Sequence, residues 1–233
     1  MPTETKKTPA QNRKENILIV TVVAVILLAL AITIVIVVAT GRKGVKPTNY
    51  VHMNISYTDQ TGTLCTGDII IELRPDMAPA TVKNFQDLVS RKFYDNVPFH
   101  RVMESFMIQG GDPNGDGVSS PDEVTIPGEF SANGYTANTL LHNRGTISMA
   151  RLGNDYDSAS TQFFIVTKES TNNHASLDGQ YAAFGSVVYG METIDGIAST
   201  PVKYNEYGTE KSVPISPVTI NYARFVKSNT LDR

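Results

Sequence analysis

The stretch FHRVMESFMIQGGDPNGDGVSSPDE, residues 99–123, carries two competing messages. Its second half places Asp112, Asn114, Asp116, Gly117 and Glu123 at positions 1, 3, 5, 6 and 12 of the pattern D-x-[DN]-x-[DN]-G-x5-E, which surrounds a hard cation with oxygen ligands. An EF-hand also needs a helix on each side of that loop. Here residues 106–109 read as strand, Pro121 and Pro127 interrupt the segment where the second helix would run, and the usually apolar eighth position is Ser119. The letters are therefore expected to form a surface cluster of turn formers, with weak calcium binding by a non-helical loop as the alternative. The first half, residues 99–109, reads as strand and sets the fold class.

On the N-terminal side, residues 51–57 alternate and residues 67–73 (GDIIIEL) are rich in β-branched side chains between turn formers. This predicts two strands joined as a hairpin. Asp76 then precedes an amphipathic helix in which Val82, Phe85, Leu88 and Val89 recur at helical spacing up to about Arg91. Further strands are expected at 145–150, 162–167, 182–188 and 218–226, with a shorter helix at 191–198. Many antiparallel strands with two helices give a mainly β fold, a closed barrel capped by two helices.

Before this domain, residues 17–40 run for 24 residues without a charge, where a bilayer needs only about 20 in a helix. The run is too long for the apolar region of a cleaved signal, and Leu, Ile and Val cover every face, unlike a core helix. The expected organisation is a short tail (1–16), a transmembrane signal anchor (17–40), a linker (41–50), one folded domain (51–228) and a C-terminal tail (229–233). Basic residues flank the span on both sides, so orientation rests on a short N-terminal tail staying inside. The chain is thus expected in the cell membrane as a single-pass protein, in contact with the lipid bilayer, its domain outside the cytoplasm.

Seven of the 20 basic residues and only two of the 23 acidic ones precede residue 47, leaving the folded part near −8. Such a domain lacks the basic footprint that phosphate backbones require, so no nucleic-acid partner is expected. Cys65 is the one cysteine in the sequence, so no internal disulfide forms.

Four separated blocks, FHRVMESFMIQGGD (99–112), GTISMAR (145–151), STQFFIV (160–166) and LDGQYAAFG (177–185), resemble the cyclophilin family of peptidyl-prolyl cis-trans isomerases over roughly residues 51–227. The resemblance implies an eight-stranded barrel, no cofactor and no metal; the four histidines show no ligand spacing. It also implies an isomerase that rotates Xaa-Pro bonds in exported proteins, with a non-catalytic proline-binding chaperone or scaffold module as the alternative.

Rotation about an Xaa-Pro bond is slow because the C–N bond has partial double-bond character. A pocket that binds the twisted amide, with a cationic donor for the pyramidalising prolyl nitrogen, needs no nucleophile. By resemblance Arg101 is that donor and Gln109 its catalytic partner, holding it and the substrate backbone. Phe106, Met107, Phe164 and Leu177 match the proline pocket, and Ala150, Arg151, Gln162 and Tyr181 are the further substrate contacts. Alternation sends Phe163 and Phe164 opposite ways, and the resemblance then selects Phe164 for the pocket and leaves Phe163 to the barrel interior. The sequence departs from the family at Ser176, where many relatives carry a Trp that contacts cyclosporin, so weak or no cyclosporin binding is expected. Arg151 replaces a common Asn, and Tyr181 stands in the place of a substrate-site His.

Overall fold

The computed structural model describes residues 47–118 and 124–227. The expected tails, the span at 17–40, most of the linker and residues 119–123 of the acidic loop lie outside the described residues. Among the described residues, no helix is long and apolar enough to cross a membrane.

The strands are β1 (Tyr50–Thr58), β2 (Leu64–Leu73), β3 (Val97–Met103), β4 (Met107–Gly110), β5 (Thr146–Met149), β6 (Phe163–Val166), β7 (Ala183–Tyr189), β8 (Val202–Tyr204), β9 (Lys211–Pro214) and β10 (Thr219–Val226). Eight of them close a barrel in the order β1-β10-β3-β4-β6-β5-β7-β2, each neighbouring pair antiparallel. Closure gives each of these eight strands two neighbours, so the barrel presents no open sheet edge. The period of two then sorts side chains: Val51, Met53 and Ile55 of β1 are buried inside, while His52, Asn54 and Ser56 stay on the outer face.

Residues 99–109 do not form one strand. A turn at residues 104–106, closed by the Phe106 N–H donating to the Met103 carbonyl at 3.0 Å, splits them into the β3–β4 hairpin. The polar pair Glu104-Ser105 supplies the break that the surrounding apolar letters conceal. The hairpin register sets Arg101 opposite Gln109 and Met103 opposite Met107.

Helix α1 (Pro79–Ser90) buries Val82, Phe85, Leu88 and Val89 as their spacing predicts. Its Phe85 ring meets Phe163 and Phe184 from the barrel at centroid distances of 5.7 and 5.1 Å. Asp76 does not cap this helix; it pairs with Arg74 instead. The cap comes from far along the chain, where the buried Glu129 accepts from the Ala80 and Thr81 N–H groups at 3.0 and 2.8 Å and from the Thr81 hydroxyl. A carboxylate at a helix N-terminus also faces the positive end of the macrodipole.

Between this helix and the one expected at 191–198 lies a third, α2 (Thr171–Leu177), started by the Ser170 hydroxyl accepting from the Asn173 N–H. Seven residues with two asparagines carry too little periodicity to announce it. Helix α3 (Met191–Ala198) adds Ile194 and Ile197 to the core. The β8–β9 hairpin is likewise absent from the sequence-based expectation: strands of three and four residues among Pro201, Gly208, Pro214 and Pro217 read as loop.

Candidate active site

Alternation on β3, β4 and β6 builds two separate apolar groups. Phe99, Val102, Ile108, Phe163 and Ile165 join the barrel core, whereas Met107, Phe164, Val166 and Leu177 form a second buried cluster outside it. Met103, Phe106, Ala150 and Tyr181 pack at the edge of that second cluster. It opens as a cavity of about 260 Å³. Arg101 from β3, Phe106 from the turn, and Met107 and Gln109 from β4 line one side; Ala150, Arg151, Phe164, Leu177 and Tyr181 complete it. Gln162 does not line the cavity; its Oε1 accepts from Gln109 Nε2 at 3.0 Å and fixes that amide from behind.

The base of the cavity is braced. The His142 ring stacks on Phe164 at 5.9 Å between centroids and 13° between planes, while Tyr181 meets Phe164 edge-on at 5.8 Å. His142 Nδ1 donates to Asp178 at 2.9 Å, which leaves Nε2 to accept from the Ser148 hydroxyl at 3.0 Å. Ser148, His142 and Asp178 thus stand in the order of a hydrolytic triad. Ser148 is fully buried, so no substrate carbonyl reaches it, and the three residues act as a prop for Phe164.

Burial pushes the His142 imidazole below its ordinary pKa against the pull of Asp178, and burial does the same to His100. Both are therefore neutral in the fold at pH values where an unfolded histidine would bind a proton. With more protons bound in the unfolded state, stability falls as pH drops through about 6.5. His174 works the other way: its hydrogen bond to Asp178 raises its pKa, a contribution present at low pH and lost as pH rises through the folded value. His142 and the half-buried His100 are expected to dominate. Differential scanning calorimetry should show the melting temperature falling by about 4 °C between pH 7.5 and 5.5; a midpoint that rises on acidification contradicts this assignment.

Arg151 is not a loose charge at the rim. Its guanidinium lies over the rings of Tyr181 and Tyr156 at 4.5 and 4.7 Å, and its Nε and Nη2 both donate to the Gln180 carbonyl at 3.1 Å. Stacking of this kind orders a long side chain that would otherwise sample many rotamers.

Arg101 is held from a direction that sequence reasoning missed. Glu210, just before β9, accepts from Arg101 Nε at 2.7 Å and from Nη2 at 2.6 Å. Arg101 Nη1 donates to Gln109 Oε1 at 3.3 Å and lies 3.7 Å from Met107 Sδ, both on the cavity wall. The Arg101 hydrogen bond holds the Glu210 carboxyl at a pKa of about 2, against the opposing effect of burial. Nothing local marks Glu210, which is 109 residues from its partner. The β8–β9 hairpin that carries it also walls a wider cleft of about 700 Å³, which shares Arg101 and Gln109 with the first cavity.

The acidic loop is built on its own backbone. Asp112 is buried, with Oδ1 accepting from the Asn114 N–H at 2.9 Å and Oδ2 from the Gly117 N–H at 2.7 Å. Both oxygens of the first calcium-pattern ligand are thus engaged in turn formation, which Gly115 and Gly117 permit at φ values of 70° and 77°.

Comparison with known proteins agrees with this architecture. The family model for cyclophilin type peptidyl-prolyl cis-trans isomerases matches residues 54–224. A peptidyl-prolyl cis-trans isomerase of Acinetobacter baylyi is 39% identical over 165 residues, covering 70% of this chain and 83% of that protein. Peptidyl-prolyl cis-trans isomerase B of Bacillus subtilis is 40% identical over 124 residues, covering 53% of this chain and 78% of its own length. A solved cyclophilin type isomerase of Cryptosporidium parvum, crystallised in the presence of the dipeptide Ala-Pro, superposes with a TM-score of 0.58 at 26% identity, covering 75% of this chain and 99% of that one. With a closed barrel of the same kind and a family match across nearly all of the described residues, this chain belongs to the cyclophilin-type peptidyl-prolyl cis-trans isomerases.

Proposed function

We propose that the isomerase acts on exported polypeptides from a membrane anchor at residues 17–40, with Arg101 as the cationic donor to the prolyl nitrogen. The observation that carries the site assignment is the position of Arg101 Nη1, beside Gln109 and Met107 at the mouth of a small apolar cavity. A proline ring seated against Phe106, Met107, Phe164 and Leu177 brings its nitrogen to that edge of the guanidinium. The amide nitrogen of a planar peptide has little lone-pair density to offer. As the bond twists, the nitrogen pyramidalises and its lone pair accepts the Arg101 N–H, so the hydrogen bond strengthens only toward the transition state. No covalent bond forms or breaks.

Gln109 has two roles in this reading: its oxygen receives Arg101 while its nitrogen is anchored on Gln162. Ala150, the stacked Arg151 and Tyr181 supply the rim against which the residues flanking the proline lie. The dipeptide present with the Cryptosporidium relative is an Xaa-Pro unit of the kind this cavity suits. Ser176 offers no ring to cyclosporin, which is expected to bind weakly.

The anchor rests on the 24-residue uncharged run. Fractionation of expressing cells is expected to leave the 233-residue chain in the membrane pellet after an alkaline wash, with the barrel digested by protease added to intact cells or spheroplasts. Recovery in the soluble fraction would remove the anchor, and protection from protease would place the barrel inside.

A further inference from the structure

We propose that Glu210 is a positioning residue for the isomerisation, holding Arg101 so that its Nη1 edge faces the prolyl nitrogen. This rests on Arg101 being the donor. A guanidinium has three sides that can receive partners, and Glu210 occupies one of them completely, taking Nε and Nη2 in a bidentate pair. Nη2 also lies 3.2 Å from Met103 Sδ, and Nη1 is then turned to Gln109 and Met107 on the cavity wall. Without Glu210, the long side chain is free to swing into the 700 Å³ cleft on its other side.

The hairpin is constructed to present this carboxylate. Asn205 Oδ1 accepts from the Thr209 N–H at 2.9 Å and the Glu210 N–H at 3.4 Å, while the Asn205 N–H donates to the Glu210 carbonyl at 2.8 Å. Gly208, at φ 66°, lets the chain reverse inside that ring. The buried Ser212 also favours the ionised Glu210 carboxylate, alongside Arg101. An arginine fixed before substrate arrives needs no reorganisation as the peptide bond twists. The pair is about a third exposed, 31% for Arg101 and 29% for Glu210, so it contributes little to stability and its main effect falls on catalysis.

The test compares Glu210→Ala and Glu210→Gln with the wild-type chain, using exchange NMR on an Ala-Pro peptide together with the ¹H–¹⁵Nε resonance of Arg101. Glu210→Ala is expected to lower kcat by about tenfold with a smaller change in KM, and to lose the solvent-exchange protection of the Arg101 Nε–H. Glu210→Gln keeps one acceptor oxygen and is expected to recover part of both. The melting temperatures should stay within about 3 °C of wild type. Unchanged kcat in Glu210→Ala, beside an inactive Arg101→Ala, overturns the positioning role and leaves the donor assignment standing. A rise in kcat also overturns it, because Glu210 would then be restraining Arg101 instead of aiming it. Full turnover by Arg101→Ala removes the donor itself, and the proposal with it.

Discussion

Arg101→Ala is expected to lower kcat/KM for an Ala-Pro peptide by about 10²–10³-fold, the usual loss when a single donor aimed at a developing lone pair is removed. The barrier being lowered is about 18–20 kcal/mol, and a hydrogen bond made only by the pyramidal nitrogen acts on that barrier without tightening ground-state binding. The loss should therefore appear in kcat more than in KM. The fold should survive. Arg101 sits on a barrel strand with its side chain outward and about a third exposed. Removing it frees Glu210 to regain a pKa nearer the ordinary carboxylate value in a partly solvated cleft, at a cost of about 1 kcal/mol. Exchange NMR at several peptide concentrations, with calorimetry on the same samples, separates the two effects. Retained turnover, or a collapse of the melting transition, would show that Arg101 is structural.

The second large effect distinguishes two adjacent phenylalanines. Phe163 is fully buried and meets Phe85, Tyr94 and Phe99 edge-to-face at 5.7, 5.4 and 5.8 Å. Truncation to alanine leaves a closed void in a packed barrel and is expected to cost about 3–5 kcal/mol, out of a typical total of about 5–15 kcal/mol. Phe164 faces the other way, onto the cavity, where water can enter the space that alanine vacates. Phe164→Ala is therefore expected to cost only the transfer term, about 2 kcal/mol. Its activity, however, should fall at least tenfold, because the cavity loses a wall and the His142 prop loses its load. Urea unfolding of both variants, with turnover measured well below the melting range, checks the contrast. Equal destabilisation by the two would mean that the cavity is as closed as the core.

Much of the architecture is legible in the sequence because it depends on local periodicity. The alternation at 51–57, the β-branched run at 67–73 and the helical spacing of Val82, Phe85, Leu88 and Val89 each bury one face wherever the element is placed. Helices α1 and α3 are visible for the same reason. Expectation and structure part where the local signal is weak or is answered from elsewhere. The start of α1 carries no local cap, and Glu129 caps the helix from about fifty residues downstream. The turn at Glu104-Ser105 is hidden inside an apolar run. Its consequence is large: in one continuous strand Arg101 and Gln109 would stand about 26 Å apart, whereas the hairpin sets them opposite each other.

What the sequence determined by itself is the alternation that points Phe163 and Phe164 opposite ways, the apolar character of the cavity wall, and the arginine and glutamine beside it. Each of these is a choice of residue type at a strand position, and strand geometry converts position into direction. The direction in which Arg101 aims was decided only by the tertiary structure. That depends on Glu210, held on a short hairpin that follows β7 and α3 in the chain, and on the Gln162 amide behind Gln109. An ion pair across 109 residues exists only once the intervening chain has paid its loop-closure entropy, so no local pattern announces it.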